Sequence, residues 1–182
     1  MSFKENSDPV KDIGIGLISE IRKFCNSKLE GDLTNEDFLE ICAKCGKTDY
    51  VKYLLETGAD VHVEDDYALR IASVNGYVDI VKILLEAGAD VHVNDDWPLR
   101  WASKNGHTEV VKLLLNAGAD VHADGHALCW ASSHGHAEVV KLLLLNPSAN
   151  AQAKNRSLQL AKYYRHTEVI KVLKKHIKEN GL

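Results

Sequence analysis

The pentapeptide GADVH occurs at residues 58–62, 88–92 and 118–122, a period of 30 residues. Self-similarity at a fixed short period restricts a chain to architectures in which one supersecondary unit is stacked on copies of itself. Between these marks the wording nearly repeats: YALRIASVNGYVDIVKILLEAGAD from Tyr67, WPLRWASKNGHTEVVKLLLNAGAD from Trp97, and HALCWASSHGHAEVVKLLLLNPSAN from His126. The same register extends outward to FLEICAKCGKTDYVKYLLETGAD from Phe38 and to SLQLAKYYRHTEVIKVLKKH from Ser157. Residues 36–180 therefore divide into five units, at about 36–60, 61–90, 91–120, 121–150 and 151–180. Further upstream, GLISEIRKFCNSKLEGD from Gly16 aligns through Ile21 and Phe24, which predicts a degenerate repeat acting as an N-terminal cap over residues 1–35.

Inside each unit, apolar residues fall at helical spacing in two short runs separated by Gly76, Gly106 or Gly135. Each unit reads as a helical hairpin, and a hairpin of this size cannot bury its apolar face alone. Neighbours must stack, so the fold class is all-α, a solenoid of helix-turn-helix units with short loops. Ala72, Ala102, Ala131 and Ala161 share one position and are expected to permit close helix approach.

Charge excludes some functions. The net charge is -4, which disfavours non-specific nucleic-acid binding, although its sign is unevenly spread. Residues 1–120 hold 13 Lys/Arg against 22 Asp/Glu, and residues 121–182 hold 9 against 4. No apolar window approaches the roughly 20 residues of a membrane span, and the N-terminal MSFKENSDPVKD does not read as a signal peptide. A cytoplasmic protein is expected, the nucleus being open to it. Cysteines at 25, 42, 45 and 129 are too irregular for a disulfide framework, and Cys42-Ala-Lys-Cys45 lacks a second half for zinc. By register, Cys42 faces the core and Cys45 the variable inner surface.

The unit WPLRWASKNGHTEVVKLLLNAGADVH carries, in order, PL, A, GH, VV, LL and GAD. In this it resembles the ankyrin repeat, over about residues 36–180, and the 30-residue period with ALRxAS is similar to the ankyrin arrays of giant DNA viruses. The resemblance implies a non-enzymatic scaffold that binds a partner protein, a host protein if the viral likeness holds, and needs no cofactor. There are departures. The D-x-x-G turn is missing and only VEDDYA separates His62 from Leu69, so tight acidic loops should replace projecting fingers. Where the family has the histidine of TPLH, this chain has Glu40, Arg70, Arg100, Cys129 and Gln159. Arg70 and Arg100 are expected to pair with the Asp65, Asp66, Asp95 and Asp96 carboxylates, at about 0–1 kcal/mol for each exposed pair.

The register places the candidate binding residues. Trp97 lies over the start of the inner helix, followed by Pro98 at a position that suits proline, with Asp96 as the expected cap. Trp101 sits on the inner-helix face, and Ile41, Ile71, Trp130 and Leu160 are its equivalents. The ladder is flanked by Val74 and Asn75, Lys104 and Asn105, Ser133 and His134, and Tyr163 and Tyr164. With Asp66, Tyr67, Asp96 and His126 from the loops, these form the expected partner-binding surface. Two readings stand side by side. Trp101 and Trp130 either pack completely between repeats, in a structural or self-associating module, or leave apolar surface on the concave side as interface anchors, each contributing about 2 kcal/mol or more. The acidic loops would favour a basic patch on the partner.

Catalytic and metal constellations do not emerge. His62, His92 and His122 recur once per unit, and units stack on the order of 10 Å apart, too far for shared ligation. His107, His136 and His166 repeat for structural reasons. His122, Asp124, His126 and His134 cluster locally, but a shortened loop offers no tetrahedral geometry. No Gly-rich phosphate loop, paired-acid motif or nucleophile elbow appears. In the last unit Arg165 replaces glycine, where relaxed local geometry is expected, and KKHIKEN from Lys174 makes a polar cap whose lysines, with Lys171, complement a helix C-terminus. NPSAN from Asn146 carries one extra residue that compensates a loss near Gly125.

Overall fold

A computed structural model describes residues 34–121, 126–146 and 151–179. The expected N-terminal cap up to residue 33, the loop 122–125 with His122 and Asp124, and segment 147–150 of the altered turn lie outside the described residues. The described residues form helices and no strands: α1 (Asn35–Lys44), α2 (Thr48–Glu56), α3 (Val63–Asn75), α4 (Val78–Glu86), α5 (Val93–Asn105), α6 (Thr108–Asn116), α7 (His126–Ser133), α8 (Ala137–Leu145), α9 (Ala151–Tyr163) and α10 (Thr167–Glu179). They form five successive hairpins.

Local chemistry sets the helix ends. Thr34 and Asp37 close a capping box on α1, with Thr34 N–H donating to Asp37 Oδ2 at 2.8 Å and Asp37 N–H to Thr34 Oγ1 at 3.2 Å. The inner helices α3 and α5 stop at Gly76 and Gly106, both left-handed, with φ 76° and 77°. Arg165 takes that conformation too, at φ 62°, so the expected relaxation there does not occur. Its side chain is exposed, and the left-handed residue is what ends the helix.

Odd-numbered helices stack on one another as an inner layer and even-numbered helices as an outer layer, the inner layer packing more extensively. Leu69, Leu99 and Leu128 from the inner layer and Leu84, Leu114, Leu143 and Leu173 from the outer layer are buried, each stabilising the fold by about 1.5–3 kcal/mol. The alanines at 72, 102, 131 and 161 are fully buried, so the small-residue position is a close-packing position. Cys42 takes the equivalent place in α1 and is buried, while Cys45 is half-exposed.

Two devices tie successive units together. His107 Nε2 donates to the Val74 carbonyl at 2.8 Å, His136 Nε2 to the Lys104 carbonyl at 2.8 Å and His166 Nε2 to the Ser133 carbonyl at 2.9 Å. Each imidazole lies flat against the glycine of the preceding unit. A Cβ on Gly106 would stand 2.5 Å from His136 Nδ1, so this position needs glycine for space as well as for φ.

The second device is the loop. Glu64, Asp65 and Asp66 all lie in the left-handed region at φ 47–54°, and Asn94, Asp95 and Asp96 at φ 50–57°, a left-handed turn without glycine in the first residues of α3 and of α5. Such a conformation costs an L-residue roughly 1–2 kcal/mol, so something must hold it. The buried carboxylates of Asp66 and Asp96 do so, each 5% exposed. Asp66 Oδ1 accepts from His62 Nδ1 at 3.1 Å and from the N–H of Asp90, which leads into the following loop, at 3.0 Å; Asp96 Oδ1 does the same with His92 at 3.0 Å and Asp120 N–H at 2.8 Å. Asp96 thus reaches forward to the following loop instead of capping its own helix.

Candidate protein-binding surface

The three tryptophans meet on the inner face. Trp97 and Trp101 ring centroids are 5.1 Å apart, and Trp101 and Trp130, one unit apart, are 5.7 Å apart. All three are half-buried, so the ladder is not completely internal as the first of the two sequence readings required. Lys104 Nζ lies 4.2 Å from the Trp101 centroid and 4.3 Å from that of Trp130, clamping the two indoles from one side. Each such contact is worth about 0.5–1 kcal/mol at an exposed site. His134 stacks on Trp130 at 6.2 Å with planes 3° apart. Trp97, Arg100, Trp101, His126 and Trp130 line a mostly apolar cleft of about 170 Å³.

The arginines behave differently from the sequence expectation. Arg70 Nε donates to the Asp65 carbonyl at 3.0 Å and its Nη2 to the Glu64 carbonyl at 2.8 Å; Arg100 Nη2 donates to the Asn94 carbonyl at 2.8 Å. The partners are backbone oxygens of the left-handed turn, whose carbonyls point inward, and not the carboxylates of Asp65, Asp66, Asp95 or Asp96. Arg70 also lies 5.5 Å from the Tyr67 ring and 5.6 Å from the Trp97 ring, joining neighbouring units. Glu40, at the same register, has its carboxyl raised by burial and by the Glu64 charge, with Arg70 opposing.

Other expected site residues divide. Ile71 and Val74 are half-buried beside the indoles' layer. Asn105 Nδ2 donates to the Val74 carbonyl at 2.8 Å and Asn75 Nδ2 to the Lys44 carbonyl at 3.5 Å, so both asparagines also link units. Ser133 Oγ donates to the Trp130 carbonyl at 3.0 Å. Tyr163 and Tyr164 are 78% and 53% exposed and meet edge to face at 4.9 Å, forming an aromatic pair of their own. Asp66 and Asp96, expected on the partner-facing surface, are buried with their carboxylates engaged, which leaves Glu64, Asp65 and Asp95 as the exposed acids of these loops. Among the described residues, no group of three or more His, Cys, Asp or Glu side chains converges as a metal site would.

The family model for ankyrin repeats (3 copies) matches residues 15–95 and 94–155. The chain belongs to the ankyrin-repeat family. A search of the curated proteins found no match. Ankyrin repeats are generally protein-protein interaction modules, and proteins built from them are typically non-enzymatic scaffolds. No helix among the described residues is long and apolar enough to cross a membrane. Within this ankyrin array the carbonyl-gripping arginines and the His–Asp loop pairs are not apparent from the family pattern. The repeated HVEDD and HVNDD at 62–66 and 92–96 were the only sequence signal for them.

Proposed function

We propose that this ankyrin array is a non-enzymatic scaffold that binds a partner protein on its inner face, centred on Trp97, Trp101 and Trp130. The observation that carries this reading is three half-buried indoles packed within 5.1–5.7 Å of one another around an apolar cleft. Half-buried tryptophans on a pre-formed helical surface offer large contact area at little ordering cost, which is how interface hot spots are built. The 30-residue period is viral in type on our reading, so host proteins are the first partners to seek. The test is affinity capture from host lysate, comparing wild type with a Trp101→Ala, Trp130→Ala double variant shown by circular dichroism to be folded. Loss of a hot spot of about 2 kcal/mol weakens binding roughly 30-fold, so the variant should fail to retain the partner. Equal capture by both proteins would move the site elsewhere. Light scattering over a concentration series distinguishes a self-associating module, whose mass would rise with concentration and fall back in the double variant.

A further inference from the structure

Resting on the inner-face reading above, we propose that the occupant of the tryptophan cleft is an acidic peptide segment, one that seats an apolar side chain among the indoles and sets a carboxylate against Arg100 and Lys104. Three observations point the same way. The cleft walls carry a cation and no carboxylate: Arg100 lines it with His126 and the three tryptophans, and the Lys104 ammonium stands over two of their rings. Neither Arg100 nor Lys104 makes an ion pair among the described residues.

The arms of Arg70 and Arg100 occupy equivalent positions but are not equally satisfied. Arg70 spends both Nε and Nη2 on carbonyls of its loop, whereas Arg100 uses Nη2 alone, and its Nε is a buried donor with no acceptor. An unpaired guanidinium N–H is costly, and because this Nε is out of solvent an acceptor satisfies it only once Arg100, held by one hydrogen bond against Arg70's two, turns toward the cleft. The third observation is the withdrawal of two acids, Asp66 and Asp96, while the exposed Glu64, Asp65 and Asp95 of the same loops do not line the cleft. With the Asp66 and Asp96 carboxylates buried and engaged by the loop ladder, the inner face between α3 and α7 presents Arg70, Arg100 and Lys104 beside the indoles. A basic partner would have to desolvate its charges against these cations, whereas an acidic one completes them.

The test uses the full chain and three short fluorescein-labelled peptides sharing the same phenylalanines, with glutamate, glutamine or lysine as the remaining residues, read by anisotropy. The glutamate peptide should bind at least about tenfold tighter than the lysine peptide, more weakly as salt rises, and the preference should shrink to about twofold or reverse in Lys104→Glu. Lys104→Gln, which adds no charge, should fall between. Neither substitution touches a hydrogen bond made by the side chain, and circular dichroism checks the fold. Tighter binding of the lysine peptide, still dependent on Trp101 and Trp130, would overturn the acidic assignment and leave the interface standing. Displacement of the glutamate peptide by oligo-dT at lower concentration than by unlabelled peptide would overturn it in favour of nucleic acid. Binding of no peptide, or a preference unmoved by Lys104→Glu, would also overturn it; the lysate capture decides separately whether the inner-face interface itself fails.

Discussion

Asp96 offers the sharpest test of how successive loops are joined. Its carboxylate, 5% exposed, accepts from the Asp120 amide at 2.8 Å and from His92 Nδ1 at 3.0 Å. A hydrogen bond to a charged group contributes about 1.5–3 kcal/mol, and the bond to Asp120 deserves that figure. His92 is 56% exposed at its side chain, so its share falls to about 0–1 kcal/mol by solvent screening. Removal of the carboxylate should therefore cost about 2–3 kcal/mol. Backbone strain has to be separated, because residue 96 sits at φ 54°. Asp96→Gly removes the carboxylate while easing the left-handed conformation, and Asp96→Ala removes it while worsening that conformation by roughly 1 kcal/mol. Urea unfolding followed by tryptophan fluorescence and circular dichroism should rank wild type above Asp96→Gly above Asp96→Ala. Hydrogen exchange at the Asp120 amide should accelerate in both variants. A loss below about 0.5 kcal/mol in Asp96→Ala, with Asp120 exchange unchanged, would refute the forward-reaching carboxylate as the link.

Three further outcomes follow from the same geometry. Gly106→Ala should destabilise by about 3 kcal/mol or more, through both φ 77° and the clash with His136, whereas Gly88→Ala at φ 95°, with nothing within 4 Å of the added carbon, should cost only the backbone penalty of about 1–2 kcal/mol; equal urea midpoints would contradict the packing of His136 on glycine. Ser73 and Ser103 bury hydroxyls without partners at the second alanine position of the family pattern, so Ser103→Ala should raise stability by about 1 kcal/mol, and a lowered midpoint would show the hydroxyl to be engaged. Burial holds the His136 imidazole below its ordinary value of 6.5, against the opposing bond to the Lys104 carbonyl. Because the unfolded chain then binds the proton first, the stability this group contributes is complete above about pH 6.5 and falls as pH drops through the lower folded value. His136→Gln should flatten that part of the stability-pH curve, and an unchanged slope would contradict the burial.

The period at GADVH and the helical spacing inside each unit made the fold readable, since stacking is the only way such hairpins can bury Leu69, Leu99 and Leu128. The meeting of Trp101 and Trp130 was equally visible, because residues at one register position of adjacent units must be neighbours. The loops were not. Three consecutive left-handed residues carry no glycine to announce them, and their stability comes from a carboxylate acting on an amide 24 residues later at the entry to the following loop, a partnership that hydrophobic spacing cannot display. The same geometry turned the carbonyls toward Arg70 and Arg100. The expected carboxylate pairs assumed that opposite charges near in sequence meet, but Asp66 and Asp96 had stronger claims on them from amides at the entry to the following loop.

The central claim is that the inner face around Trp97, Trp101 and Trp130 is where a partner protein sits. Hydroxyl-radical footprinting of the captured complex, read by mass spectrometry against the free protein, tests it most directly, with Leu145 on the outer helix α8, 79% exposed, as an internal reference. The account predicts that oxidation of the three indoles falls several-fold in the complex while Leu145 is unchanged. Protection of Leu145 and the outer helices, with the indoles as reactive as before, would contradict it.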